Sequence, residues 1–367
     1  MRKKMIHVTV RADYGGAPNY INTMINNMSD DFDVFLACPK DKPYYELWKS
    51  NKRVKEICLL PHRKFTVKSL FSLVKFVKKH NIQLFQANGK GAGAFRLIKI
   101  FCPKLKVLYA YRGFHIHDYS PFQRQLYFIY ERLMTIFTNK VINVSRGEQQ
   151  QCVSKKVLKI SLSSQIYNGI NPLKRKENKK LEENYGDKFV ITTLSRFDVQ
   201  KNMGLMYEIA SKMKNFKDIQ FIWIGDGDDK FSLEEKSKRE GLTNIDFVGF
   251  KNHEEISEYF TVTDLYLTTS RWEGLPFALV EASSIGLPIV ASNVVGNNEV
   301  CLHKGNGLLY PVEESSRAVE AIISLYQNPK KLKEYSENSK KIFKSNFTVE
   351  QMVENHELLY DQIINGI

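Results

Sequence analysis

The chain has 367 residues, 43% of them hydrophobic and 26% charged, and its 54 Lys and Arg against 40 Asp and Glu leave a net charge of +14. That length accommodates two domains of ordinary size, and the composition is that of a folded globular protein rather than a disordered or fibrous one. No window approaches the unbroken apolar length of a membrane span, and the five cysteines (Cys38, Cys58, Cys102, Cys152, Cys301) are scattered with no C-x-x-C spacing, which reads as free thiols in a reducing cytoplasm.

The first segment, Met1-Arg2-Lys3-Lys4-Met5, has the basic flank of a signal peptide. The apolar run behind it is too short and too interrupted for one, and Ile6–Val10 is predicted as the first strand. Tyr14-Gly15-Gly16-Ala17 follows, where glycines allow a backbone to approach a ligand closely or simply make a turn. Further strands are predicted at Asp33–Ala37, Glu56–Leu60, Gln83–Ala87, Val107–Tyr111 and Val141–Val144, with helical stretches between most of them. This alternation predicts βαβ units and a mostly parallel sheet. Residues 63–80 alternate apolar and basic side chains at roughly helical spacing. Such a helix either lies on an anionic leaflet or packs on the core with its lysines outward, the second being preferred. Behind the Val107–Tyr111 strand comes Arg112-Gly113-Phe114-His115-Ile116-His117-Asp118.

From Asn171 to Gly186 the chain is rich in Lys, Glu and Asn, and it reads as a linker and a surface turn. The boundary is accordingly placed near residue 172, giving a first domain of residues 1–171 and a second of residues 172–346. The second half repeats the rhythm of the first, with strands at Phe189–Leu194, Phe221–Ile224, Asp246–Val248, Leu265–Thr268 and Ile289–Ala291. The helical tail, residues 347–367, is expected to cross back and brace the first domain. Two doubly wound α/β domains predict a central cleft, with ligands at the carboxyl ends of strands.

Three motifs follow strands of the second half. Ser195-Arg196-Phe197-Asp198-Val199-Gln200-Lys201-Asn202 places a planar fork and a point charge where a strand ends, a pair suited to a diphosphate. Ile224-Gly225-Asp226-Gly227 is a G-x-G, alone no more than a tight turn. The third, Ser270-Arg271-Trp272-Glu273-Gly274-Leu275-Pro276-Phe277-Ala278-Leu279-Val280-Glu281, says most. It predicts a strand, a turn carrying one carboxylate, a helix opened near its first turn by proline, and a second carboxylate about one and a half turns in. Free amides at a helix start hold anions, and carboxylates accept from paired sugar hydroxyls. Phosphate and sugar together suggest a nucleotide-sugar site.

Taken in order, the Gly15-Gly16 loop, Asn168-Gly169-Ile170, Ser195-Arg196-Phe197 with Lys201-Asn202, the Gly225-Asp226-Gly227 turn and the Glu273/Glu281 pair resemble family 4 of the retaining glycosyltransferases, of the GT-B fold with two Rossmann-like domains. The resemblance covers essentially the whole chain and is densest in the second half. It implies that Glu281 bonds the ribose hydroxyls, that Glu273 contacts the donor sugar, and that amides of Leu275, Phe277 and Ala278, with the Gly274 turn, face donor oxygens. It implies that Arg196 and Lys201 hold the diphosphate, that Gly15 and Gly16 border the donor, and that no metal or other cofactor takes part. The family's first-domain histidine is His115 or His117, with His115 preferred; Arg112 stands where the first histidine of that run is often found, and an alternative role for it is an acidic acceptor or a phosphate.

The implied function is transfer of a sugar from a nucleotide-diphosphate sugar, expected to be a UDP-sugar, to a lipid-linked or polysaccharide acceptor in capsule or other surface-glycan synthesis. The acceptor hydroxyl would attack from the face the leaving group departs, its proton passing to the leaving phosphate oxygen. The expected location is the cytoplasm, with peripheral contact to an anionic membrane. Two alternatives are a basic RNA- or polyanion-binding protein with a degenerate sugar site, and a GT-B sugar-nucleotide epimerase. No RNA-binding aromatic motif, zinc finger or helix-turn-helix accompanies the charge, so nucleic acid is not expected.

Overall fold

The computed structural model describes residues 2–114, 116 and 119–366. The chain divides into two units, one running to Gly169 and resuming at Val349, the other spanning Ile170–Thr348.

In the first unit the elements are β1 (Lys3–Val8), α1 (Gly16–Asn27), β2 (Phe32–Cys38), α2 (Tyr44–Ser50), β3 (Val54–Leu59), α3 (Val67–His80), β4 (Leu84–Asn88), a 3-10 segment (Lys90–Leu97), α4 (Ile98–Phe101), β5 (Lys106–Ala110), α5 (Pro121–Met134), β6 (Lys140–Asn143), α6 (Arg146–Ser154) and β7 (Ser163–Gln165). All seven strands are parallel, in the order β3-β2-β1-β4-β5-β6-β7. The order reverses between β1 and β4, the place where doubly wound sheets bind ligands. Central strands are covered on both faces, and Met5, Ile6 and Val8 of β1 are accordingly fully buried.

The basic helix α3 resolves the choice left open above. Thr66 and Ser69 form a capping box at its start, and Leu70, Leu73, Val74, Phe76 and Val77 are buried in the core. Lys68, Lys75, Lys78 and Lys79 are exposed. The buried side chains pack on the core with the lysines outward, in agreement with the preferred reading.

The second unit holds α7 (Lys179–Tyr185), β8 (Phe189–Leu194), α8 (Met203–Lys212), β9 (Ile219–Ile224), α9 (Lys230–Glu240), β10 (Ile245–Gly249), α10 (His253–Thr261), β11 (Leu265–Thr268), α11 (Phe277–Ile285), β12 (Ile289–Ser292), α12 (Asn297–Val300), β13 (Gly307–Tyr310), α13 (Ser315–Tyr326) and α14 (Pro329–Asn346). Its six parallel strands run β10-β9-β8-β11-β12-β13, so the reversal falls between β8 and β11. The segment read as a linker is laid along this unit instead of hanging free. Leu173 is buried and its amide donates to Ser284 Oγ at 3.0 Å, and Lys176 Nζ pairs with Glu258 at 2.8 Å.

The last helix, α15 (Val349–Asn365), belongs to the first unit. It buries Met352, Val353, His356, Leu359 and Tyr360, and Tyr360 donates to Gln86 Oε1 of β4 at 2.6 Å. Among the described residues no helix is long and apolar enough to cross a membrane, and all five cysteines are free.

Candidate functional site

Strands β8 and β11 are neighbours, so the loops that leave their carboxyl ends lie side by side at the reversal of strand order. The first loop, Ser195–Asn202, is anchored from below by Phe197, fully buried against Trp223 and Phe247. Its backbone is bonded to the turn after β9: Ser195 N donates to Ile224 O at 2.9 Å and Phe197 N to Asp226 O at 2.9 Å. Here the G-x-G has a steric reason beyond a plain turn. A Cβ on Gly225 (φ +135°) would sit 1.8 Å from Ser195 O, and one on Gly227 (φ +152°) would sit 2.5 Å from Phe197 O. Only glycine lets these two loops pack.

The second loop, Thr269–Pro276, is laced to the first. Arg271 N donates to Gln200 O at 2.8 Å, Thr269 Oγ1 to Lys201 O at 2.8 Å, and the Arg271 guanidinium to Val199 O at 2.9 Å. Glu313 ties both, accepting from Arg271 Nε at 2.6 Å and from Asn202 Nδ2 at 3.0 Å. Across this seam Lys201 Nζ meets Glu273 Oε1 at 2.5 Å, while Gln200 Nε2 donates to Glu273 Oε2 at 3.3 Å and to Trp272 O at 2.9 Å. The Glu273 carboxylate is thus held on both oxygens and nearly buried.

Arg196 behaves differently. Its side chain is 69% exposed, paired with Asp198 at 2.9 Å and bonded to Gln200 Oε1 at 3.2 Å. Exposed pairs of this kind contribute about 0–1 kcal/mol, so an arriving anion can recruit the guanidinium.

Pro276 is the N-cap of α11, one residue ahead of the first-turn position expected for it. The amides of Phe277 and Ala278 open the helix with no intrahelical acceptor. The turn before it, Gly274-Leu275-Pro276, is buried, and Gly296 (φ +87°) supports it so closely that a Cβ there would sit 2.6 Å from Gly274 O. Glu281 follows in the second turn. Among the described residues its carboxylate has no hydrogen bond, and His253 Nδ1 of α10 lies 3.9 Å from it. Burial pushes its acid up to about 7, since the charged form is desolvated without compensation. Tyr266 of β11, whose phenol donates to Leu194 O at 3.1 Å, is raised in its ionisation by burial and then by the fields of Glu281 and Glu273.

Four of the expected residues, Arg196, Lys201, Glu273 and Glu281, together with Gly274, Leu275, Phe277 and Ala278, fall on these two loops and the helix behind them. Three further residues of this assembly, Gln200, His253 and Tyr266, were not singled out in the sequence. Gln200 lies inside a motif that was quoted, Tyr266 reads as a core position of its strand, and His253 has no local signal at all.

The remaining candidates lie in the first unit. Gly15 and Gly16 stand at the start of α1; a Cβ on Gly15 would meet Arg11 only at an ordinary 3.7 Å, so no contact within the chain demands glycine at position 15. His115 and His117 lie outside the described residues. Arg112 (φ +59°) stacks its guanidinium 3.2 Å above the Tyr20 ring and donates to Asn168 Oδ1 at 3.0 Å and Asn88 Oδ1 at 3.3 Å. These contacts engage it within its own unit, which counts against the acceptor- or phosphate-binding role suggested for it. Among the described residues no group of three or more His, Cys, Asp or Glu is placed to hold a metal ion.

Residues 174–342, somewhat under half of the chain, match the family model for glycosyl transferases group 1. The chain is 25% identical to the O-antigen biosynthesis glycosyltransferase WbnH of Escherichia coli over 84% of its own length and 86% of that protein's. It is also 25% identical to the UDP-Gal:alpha-D-GlcNAc-diphosphoundecaprenol alpha-1,3-galactosyltransferase of Escherichia coli, over 92% of this chain and 91% of that one. Among solved structures, Anabaena HepE in complex with UDP and glucose superposes with a TM-score of 0.84 at 20% identity, covering 98% of this chain and all of that one. The fold class is thus GT-B, two Rossmann-like α/β units, and the matched model and relatives support a glycosyltransferase. They favour neither the polyanion-binding reading nor the epimerase.

Proposed function

We propose that the chain is a retaining, metal-independent glycosyltransferase of surface-glycan synthesis that moves a sugar from a UDP-sugar to a hydroxyl of a lipid-linked or polysaccharide acceptor. The observation that carries this reading is the convergence of Lys201, Glu273, the first turn of α11 and Glu281 where strand order reverses between β8 and β11. The names of two relatives, one using UDP-galactose on a diphosphoundecaprenol acceptor and one making O-antigen, support the choice of donor and acceptor class.

Cleaving the anomeric carbon–oxygen bond leaves an oxocarbenium-like sugar and adds negative charge to the diphosphate. Lys201, Arg196 and the Phe277 and Ala278 amides meet that charge, which is where a metal acts in other transferases. Glu281 accepts from the ribose diol, and its uncompensated burial in the free protein is relieved when those hydroxyls donate. Glu273, held by Lys201 and Gln200, presents its carboxylate to hydroxyls of the transferred sugar. The acceptor hydroxyl attacks from the face the leaving group departs, and its proton passes to the leaving phosphate oxygen.

The test is a calorimetric titration with UDP-glucose, UDP-galactose and UDP-N-acetylglucosamine against the wild type, Glu281→Gln and Glu273→Gln. Binding by at least one donor, weakened in Glu281→Gln, with Glu273→Gln losing turnover more than affinity, supports the assignment. No binding by any of them, or identical affinity and turnover in both variants, overturns it.

A further inference from the structure

Helix α5 carries two apolar faces, and only one is used. Phe128, Glu131 and Met134 point inward: Phe128 packs against Phe114, and the Glu131 carboxylate is fully buried, paired with Arg96 at 2.9 Å and bonded by Tyr111 at 3.1 Å. On the other side Phe122, Leu126, Ile129 and Leu133 recur at helical spacing, and Ile136 extends the row into the 3-10 turn that follows. These five side chains are 49% to 73% exposed. A helix apolar on every side is normally buried, and an exposed apolar row of this length on one face marks an interaction surface.

The charge around the row indicates the partner. Between Tyr119 and Ser163 the only acidic residues are Glu131 and Glu148, and each is 1% exposed. Over the same stretch Arg132, Lys155, Lys156 and Lys159 are exposed. The Arg132 guanidinium donates to Lys156 O at 2.6 Å and to Lys155 O at 3.2 Å, which fixes the lysine turn beside the helix. A second copy of the chain on this face would oppose one cationic rim to another, which is unfavourable. An anionic bilayer offers apolar depth under a negative headgroup layer, and fits both features.

We propose that the outward face of α5, from Phe122 to Ile136, docks this protein on an anionic lipid bilayer, with the apolar row entering the headgroup boundary and Arg132, Lys155, Lys156 and Lys159 meeting lipid phosphates. The surface is distinct from α3, whose apolar face is filled, and it is independent of the donor site in the second unit.

The experiment is co-sedimentation of the full chain with vesicles of equimolar phosphatidylglycerol and phosphatidylcholine, and with phosphatidylcholine alone. The expected result is binding to the anionic vesicles, reduced by about tenfold or more in the triple variant Leu126→Ser, Ile129→Ser, Leu133→Ser. In Lys155→Glu, Lys156→Glu, Lys159→Glu the preference for phosphatidylglycerol disappears, and in Ile129→Trp the indole emission shifts to the blue on adding anionic vesicles. All altered positions are surface residues, and an unchanged melting temperature confirms that each variant folds. Wild-type protein that stays in the supernatant, a serine variant that sediments like the wild type, or a dimer in gel filtration that the serine variant dissociates would each overturn the proposal. UDP-sugar titration of the same samples reports on the donor site separately.

Discussion

Lys201 Nζ stands 2.5 Å from Glu273 Oε1, joining residues 72 positions apart across the seam between the β8 and β11 loops. The two were expected to grip different parts of a donor, the cation its diphosphate and the carboxylate its sugar. In the structure each is the other's partner, so the pair sets the position of both groups before any ligand arrives. Glu273 is the more buried of the two and depends on Lys201 for its compensation.

Lys201→Met therefore leaves a carboxylate with little solvent and no cation, and is expected to cost about 1–3 kcal/mol of stability. The proposed chemistry adds a kcat loss of about 10²–10³-fold, since a cation facing the leaving group is removed. Adding Glu273→Gln to Lys201→Met removes the orphaned charge, so the double variant regains stability in urea titrations while remaining inactive. A double variant no more stable than Lys201→Met would show that the pair carries no such coupling.

Glu281 should trade stability for function. Its acid in the folded chain, at about 7, lies above the ordinary carboxyl value of 4.5, because ionisation is penalised by burial. Folding thus favours the protonated form, and the contribution to stability is greatest below the ordinary value and falls as pH rises from there through about 7. By pH 8 the ionised, buried group costs up to about 3 kcal/mol. Glu281→Gln escapes that cost and is expected to melt higher than the wild type at pH 8, with the advantage vanishing at pH 4. Its melting curve should lack the decline between those limits.

The same carboxyl predicts the pH profile of donor binding. Ribose hydroxyls donate to the ionised form, so binding draws the group's ionisation downward and affinity rises with pH until about 7, then levels. UDP-glucose is the suitable probe, because its diphosphate diester does not itself titrate in this range. A flat calorimetric profile between pH 5.5 and 8 in the wild type, or an unaltered slope in Glu281→Gln, would remove Glu281 from the binding step.

Glycine positions should separate by geometry. Gly225→Ala drives a methyl to 1.8 Å from Ser195 O at φ +135°, pushing up the loop that bears Arg196 and Lys201. The expected loss is about 2–4 kcal/mol together with donor binding. Gly15→Ala meets only ordinary contacts, so its melting temperature should stay within a degree or two of the wild type. Equal destabilisation of the two would show that the loop packing around Gly225 relaxes freely.

Eleven of the strands could be read from the chain because parallel strands covered on both faces are continuous apolar runs, as in Phe189–Leu194 and Ile289–Ser292. The two that were missed are edge strands without that mark: β7 is Ser163-Ser164-Gln165, and β13 is four residues opened by a glycine. Charge composition also misled between Asn171 and Gly186, where a stretch that looks like a solvated linker is instead tied to α10 through Arg175, Lys176 and Asn178 and to α11 through the Leu173 amide.

For the site, the sequence by itself determined which residues stand at strand ends and helix starts, and the eight-residue interval from Glu273 to Glu281. These follow from local rules: the proline that opens α11, the helical rise, and the glycines after β9. Only the tertiary structure decided that Lys201 neutralises Glu273 and that, among the described residues, no donor reaches the Glu281 carboxylate. Ion pairing and desolvation depend on which strands become neighbours, and the adjacency of β8 and β11, with β9 and β10 on the far side, is a property of the whole sheet that no local stretch encodes.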